Sequence, residues 1–247
     1  MNIFGTNTKL HKSVRSPLEI FDHPEIYKSE LLDNEYINKY QLLIGSFEWD
    51  ISLGRFDICA HVMKMYNFRS APRQGNMDQV KRIYTYRDKM RNACIKVWTE
   101  EPDYSELSYK KFDWEYYVYE EVKELPPDDA QTPMGNYVML KNHIDANLFH
   151  DHITGCSITG ILHLVNKTLV DWYSKKHGNM ETSTYGSEFV STRTCVESII
   201  DLRNILQYFS VSILQKSHMF GDNKYVVDND VHPHEMLHKR DNALCFH

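Results

Sequence analysis

The stretch Ser157-Ile158-Thr159-Gly160-Ile161-Leu162-His163-Leu164-Val165-Asn166-Lys167-Thr168-Leu169-Val170-Asp171-Trp172-Tyr173 holds two runs rich in β-branched, aliphatic and aromatic residues, interrupted by Asn166-Lys167. Runs of this kind predict strands over residues 157–165 and 168–173, and a two-residue interruption beginning with Asn predicts a hairpin turn between them. Upstream, residues 137–146 read as another strand. Downstream, residues 180–209 carry a helical pattern that weakens near Thr194, and residues 217–220 form a short apolar strand. A helix follows Asp222, and a last one begins near Pro233. The order β-β-β-α-β-α predicts an α/β fold, a mixed sheet with helices packed against it.

Toward the N-terminus the periodicity changes. Ile37, Tyr40, Ile44, Phe47 and Ile51 recur at spacings of three and four, the buried stripe of an amphipathic helix. A second helix is expected from an Asp57 N-cap through Val62 and Met65, ending before Pro72. A third covers residues 77–90 and buries Val80, Ile83 and Met90. Its remaining faces carry Lys81, Arg82, Arg87, Lys89 and Arg91, which suit a solvated face better than a phosphate-contacting one. The chain thus divides into an extended lead-in (1–34), a helical segment (35–98), an acidic, aromatic linker or strand region (99–133) and an α/β domain (134–247). Pro126-Pro127-Asp128-Asp129 and Pro133-Met134-Gly135 mark the boundary.

Composition narrows the classes. The 247 residues are 42% hydrophobic and 25% charged, which excludes a wholly disordered chain. A mean hydropathy of -0.53 and the lack of any long apolar run point away from a membrane span. Residues 1–13 lack the apolar core of a signal peptide, and the five scattered cysteines form no Cys-x-x-Cys pair, so a reducing compartment, cytoplasmic or nuclear, is expected. The net charge of -6 is concentrated: residues 100–130 hold eleven acids against three lysines, so the rest of the chain is slightly positive. Overall charge therefore does not argue against an anionic partner.

Three acids stand out by position. Asp145 ends the first predicted strand of the α/β region, Glu188 lies early in the long helix, and Asp222 follows the apolar run His218-Met219-Phe220. A carboxylate at the end of a core strand is costly unless something cationic meets it. Several such acids converging make an oxygen-rich site for magnesium or manganese, and two ions side by side can activate water against a phosphodiester. From spacing alone, three unrelated surface acids would fit as well.

Further motifs accompany these acids. His143-Ile144-Asp145-Ala146-Asn147, Ser157-Ile158-Thr159-Gly160 and Asp171-Trp172-Tyr173-Ser174-Lys175-Lys176 occur in order, then Ser183-Thr184-Tyr185-Gly186-Ser187-Glu188-Phe189, Gly221-Asp222-Asn223-Lys224 and Leu237-His238-Lys239-Arg240. In that order they resemble the ribonuclease H domain at the C-terminal end of copia-type LTR retrotransposon polyproteins, over residues 136–247. Tyr40-Gln41-Leu42-Leu43-Ile44-Gly45, Arg55-Phe56-Asp57-Ile58 and Lys81-Arg82-Ile83-Tyr84 resemble the helical thumb or connection segment that follows the reverse-transcriptase palm, with Phe56 where the family has Pro.

The resemblance implies a ribonuclease H-like five-stranded mixed sheet with flanking helices. It implies that Asp145, Glu188 and Asp222 bind Mg2+ or Mn2+, two ions, to hydrolyse the RNA strand of an RNA–DNA hybrid. Lys175, Lys176, Lys239 and Arg240 are placed to meet phosphate; as lone residues each is equally well a solvated cation. The family's fourth acid falls on Ala243 here, and Asp241 lies about 200° away around a helix. Gly186 stands where the family often has Glu, and a glycine inside a helix costs about 1 kcal/mol relative to alanine. Two functions follow: an active hybrid ribonuclease belonging to a reverse-transcriptase module, with the remaining polyprotein as partner, or a decayed or repurposed copy that binds nucleic acid or has lost activity. No palm is expected in this chain. Tyr225-Val226-Val227-Asp228 echoes a polymerase motif but is continued by Asn229 within a helix. His232, His234, His238, Cys245 and His247 include an i,i+4 histidine pair without matching ligand spacing elsewhere. Ser174, Ser183 and Ser187 near His177 lack a nucleophile elbow.

Overall fold

A computed structural model describes residues 14–19, 22–98, 100, 103, 131–213 and 216–231. It divides into two compact units, residues 1–95 with 151–154, and 96–150 with 155–247. Most of the 99–133 region and everything past residue 231, including Lys239, Arg240, Ala243 and the expected last helix, lie outside the described residues.

The first unit is helical: α1 (Asn34–Ser52), α2 (Cys59–Tyr66) and α3 (Gln74–Lys89), with short 3-10 turns at Pro24–Ile26 and Phe56–Ile58. Asp33 caps α1 by accepting the Tyr36 N–H at 2.9 Å. Of the predicted stripe Tyr40, Ile44, Phe47 and Ile51 are buried and Ile37 is only half-buried, while Leu43, outside the expected set, joins the buried face; Val62 and Met65 of α2 and Val80 and Ile83 of α3 are buried with them. The Tyr40 hydroxyl donates to the Met65 carbonyl at 2.7 Å, satisfying the one polar atom that this aromatic brings into the core. Asp57 does not cap α2. It sits in the 3-10 turn and holds Arg55 through two contacts of 2.9 and 3.0 Å, which spends both its oxygens. α3 starts a turn earlier than its apolar pattern, because Asn76 Oδ1 accepts the Arg73 N–H at 2.8 Å and fixes the first turn. Its cations are engaged within the unit: Arg82 with Glu19, Arg87 with Asp50, Lys81 with Asp78, and Lys89 with the Val14 carbonyl.

The second unit is the mixed α/β fold. It contains β1 (Met134–Val138), β2 (Leu140–Asn147), β3 (Ile158–Val165), β4 (Thr168–Lys176), α4 (Thr184–Tyr208), β5 (Val211–Ile213), β6 (His218–Phe220) and α5 (Lys224–Val231). β2, β3 and β4 form an antiparallel meander, β6 joins β2 in parallel, and the sheet order is β4-β3-β2-β6. The hairpin turn is where the Asn-Lys pair places it. Asn166 adopts a left-handed φ of 54°, a conformation Asn tolerates better than most residues.

The expected count of five strands in one sheet is corrected to four among the described residues, with β1 and β5 paired in parallel apart from it. The cause is local. The Met139 N–H donates to Asn166 Oδ1 at 2.9 Å, and the Met139 carbonyl accepts the Asn166 N–H at 2.7 Å. The chain therefore changes ladder partner at Met139, and the single strand expected over 137–146 becomes two. α4 runs unbroken past Thr194, whose hydroxyl bonds the Val190 carbonyl at 2.9 Å inside its own helix.

Helix α4 packs on the sheet through small residues. Ser187, Ser191 and Cys195 are wholly buried, and Ile144, Ile161 and Cys195 form a core joined by Tyr173, Ile199 and Met219. The Ser191 hydroxyl lies 2.6 Å from that of Thr159 on β3, a polar tie between helix and sheet. On the sheet itself, buried Asn142 joins three strands: its amide donates to the His218 carbonyl at 2.9 Å and its Oδ1 meets His163 Nδ1 at 2.7 Å. The sheet and helix therefore have one register and one distance of approach, which the carboxylate cluster depends on.

Candidate metal centre

Asp145 reaches its position by strand alternation. Along β2 the side chains of Leu140, Asn142 and Ile144 are buried, while Asp145 is exposed on the other face. β6 pairs with β2 in a constant parallel register, Lys141 with His218 and His143 with Phe220. Continued two residues, that register brings Asp222 level with Asp145. Two local features hold Asp222 there. Gly221 lies against Ile144, where an added Cβ would stand 3.3 Å from the Ile144 side chain. Asn223 then accepts the N–H groups of Tyr225 and Val226 at 3.1 and 3.3 Å, starting α5 directly after Asp222.

Glu188 comes from the opposite direction, near the N-terminal end of α4. Ser183 caps that helix by accepting the Gly186 N–H at 3.1 Å. Gly186 is thus in the first turn, where its cost is smaller than in a helix interior. A Cβ there would approach the Glu181 carboxylate at 2.9 Å. Glu188 is only 6% exposed and its Oε1 accepts the Ala146 N–H at 3.2 Å.

One carboxylate oxygen from each of Asp145, Glu188 and Asp222 lies within 4.8 Å of the other two. Among the described residues, no lysine, arginine or histidine side chain forms an ion pair with any of them. Burial, then the charges of Asp222 and Asp145, pushes the Glu188 carboxyl up to about 7, against the stabilising N–H of Ala146. Three converging carboxylates are a donor set suited to a hard divalent ion such as Mg2+ or Mn2+. Ile144, Met219, Gly221 and Val226 line a small, partly open pocket beside Glu188.

The expected phosphate contacts divide. Lys175 is exposed near the end of edge strand β4 and stands in register with Thr159, itself paired with Ala146 beside Asp145. Two strand spacings put its backbone about 10 Å from that of Ala146. Lys176 is half-buried and engaged in other contacts. Lys239 and Arg240 fall outside the described residues. Sequence reasoning passed over the Ala146 N–H that anchors Glu188 and the close approach of Gly221. A glycine between an apolar strand and an acid was the available signal for the second.

Of the motifs set aside, residues 225–228 are in α5, as the helix expectation required. His177 Nε2 bonds the Thr159 hydroxyl at 2.7 Å, which occupies it in the tie between sheet and helix. Among the described residues, no helix is long and apolar enough to cross a membrane. Compared with protein-family models, curated proteins and solved structures, the chain matches none of them.

Proposed function

We propose that the chain is a metal-dependent ribonuclease that hydrolyses the RNA strand of RNA–DNA hybrids, working within a reverse-transcriptase module. The observation that carries this reading is the convergence of Asp145, Glu188 and Asp222, drawn from a strand, a helix and a strand end far apart in the sequence, on one point where, among the described residues, no lysine, arginine or histidine pairs with them. The motifs linking these acids, and their order, supply the substrate class. Mg2+ or Mn2+, two ions in this reading, would activate the attacking water and stabilise the leaving oxygen.

The protein's own contribution is placement. Glu188, buried and held by the Ala146 N–H, is the fixed ligand. Asp145 and Asp222 face solvent from two paired strands and can meet an ion together with a phosphate. Lys175 pairs in register with Thr159, which pairs with Ala146, and strand alternation puts these on the sheet face opposite Asp145, so the register does not aim Lys175 at a phosphate held by the cluster. A hybrid is read through groove shape, phosphates and 2′-hydroxyls, so no base-reading element is required.

The test is cleavage of an end-labelled hybrid in Mg2+ and then Mn2+, beside Asp145→Asn. Loss of the RNA strand that needs the metal and disappears in the variant is the expected result. A folded protein that cleaves in neither metal overturns the reading. Hybrid binding that persists and weakens with salt would then return the chain to a binding role.

A further inference from the structure

A second group of metal-ligating side chains lies in the first unit and takes no part in the carboxylate cluster. His23 and Glu25 flank Pro24 at the 3-10 turn Pro24–Ile26, and His152 belongs to the segment 151–154 of the same unit. One ligand atom from each lies within 4.8 Å of the other two. His23 Nδ1 is 2.9 Å from Glu25 Oε1, and the backbone N–H of His152 donates to the same oxygen at 3.2 Å. The His23 and His152 rings stack with centroids 3.7 Å apart, tilted by 32°.

The surroundings hold these groups in place. Pro24 fixes the backbone between His23 and Glu25. Asp151 Oδ1 accepts the N–H groups of Ile153 and Thr154 at 3.0 Å each, which sets the loop that presents His152. The Glu25 side chain is 7% exposed and that of His23 25%. Burial pushes the Glu25 carboxyl up, but its own N–H, His23, the His152 N–H and the Lys64 charge together hold it below its usual range.

We propose that His23, Glu25 and His152 form a second cation site, for Zn2+ or a similar divalent transition metal, with a coordination position left open. Two imidazoles and a carboxylate are a donor set for zinc rather than for magnesium. At zinc bond lengths of about 2.0–2.1 Å, tetrahedral ligand atoms stand roughly 3.3 Å apart; the His23–Glu25 pair, at 2.9 Å, is near that spacing, and the His152 ligand atom lies within 4.8 Å of both. Lys64, whose ammonium bonds the Asp22 carbonyl, opposes the cation electrostatically and sets a limit on affinity. The bound ion would clamp the 23–25 turn to residues 151–154. This site is independent of the nuclease reading.

The test is titration of the full chain with Co2+, followed by visible absorption, in excess Mg2+ to occupy the all-oxygen site. One Co2+ per chain with a low-coordinate spectrum, displaced by Zn2+ and weakened about tenfold or more in each of His152→Ala and Glu25→Gln, is expected. His152 is exposed, so its variant keeps the fold, and circular dichroism verifies this. An absent spectrum overturns the proposal. So does one that survives His152→Ala but is lost in His234→Ala with His238→Ala, which would assign the metal to those histidines.

Discussion

Replacing Glu188 by Gln tests the carboxylate cluster without any substrate. A carboxyl that titrates near 7 when folded, against an ordinary 4.5, favours its neutral form in the folded chain. Its folded pKa is raised, so the stability it allows is fully present below pH 4.5 and is lost as pH rises toward 7. At about 1.4 kcal/mol per pH unit between the two values, ionised Glu188 costs the fold about 3 kcal/mol above pH 7. Gln keeps the shape and an oxygen for the Ala146 N–H but carries no charge. In EDTA, urea unfolding of Glu188→Gln should match wild type near pH 4 and exceed it by about 2–3 kcal/mol at pH 8. Mg2+ at ten times its Kd should then add about 1.4 kcal/mol to wild type and much less to the variant. Equal stabilities of wild type and variant at pH 8, or a less stable variant, would refute the argument that Glu188 is a buried anion awaiting a cation.

Two further substitutions probe what holds the cluster in place. Gly221→Ala should press its Cβ on Ile144, cost about 1 kcal/mol by urea unfolding, and reduce metal-dependent cleavage by more than that loss of stability explains, because Asp222 moves with it. Asn142→Ala should destabilise by about 3 kcal/mol in the same assay, since it strands a buried His163 nitrogen and the His218 carbonyl together.

The helices of the first unit and the β2–β4 meander were legible because each is written locally: spacings of three and four for α1, runs of β-branched, aliphatic and aromatic residues for the strands, with Asn166 marking the turn. Asp145, Glu188 and Asp222 were legible as candidates because charge at the end of an apolar run is conspicuous. What stayed hidden depends on partners distant in sequence. The division of one strand into β1 and β2 follows from Met139 bonding Asn166, and no pattern within 137–146 marks it. Asp57 looked like a cap, but Arg55 two residues earlier competes for its oxygens. His23, Glu25 and His152 share no spacing motif, because 127 residues separate Glu25 from its His152 contact.

The two clusters together show why a count of acids is a poor guide to metal chemistry in this chain. The densest acidic run, residues 100–130, has many carboxylates within a short span. Asp145, Glu188 and Asp222 are isolated in sequence, and the constant β2–β6 register and the α4 cap are what bring them together. A carboxylate in a charged run can remain hydrated and spread its repulsion through solvent. Glu188, at 6% exposure, has one N–H donor from Ala146 and two anions facing it. Only a cation or a proton relieves that arrangement, and near neutral pH the two compete for the same carboxyl. In the proposed reading, metal binding therefore releases a proton from Glu188 below pH 7, and affinity for Mg2+ should rise with pH until that carboxyl is fully ionised.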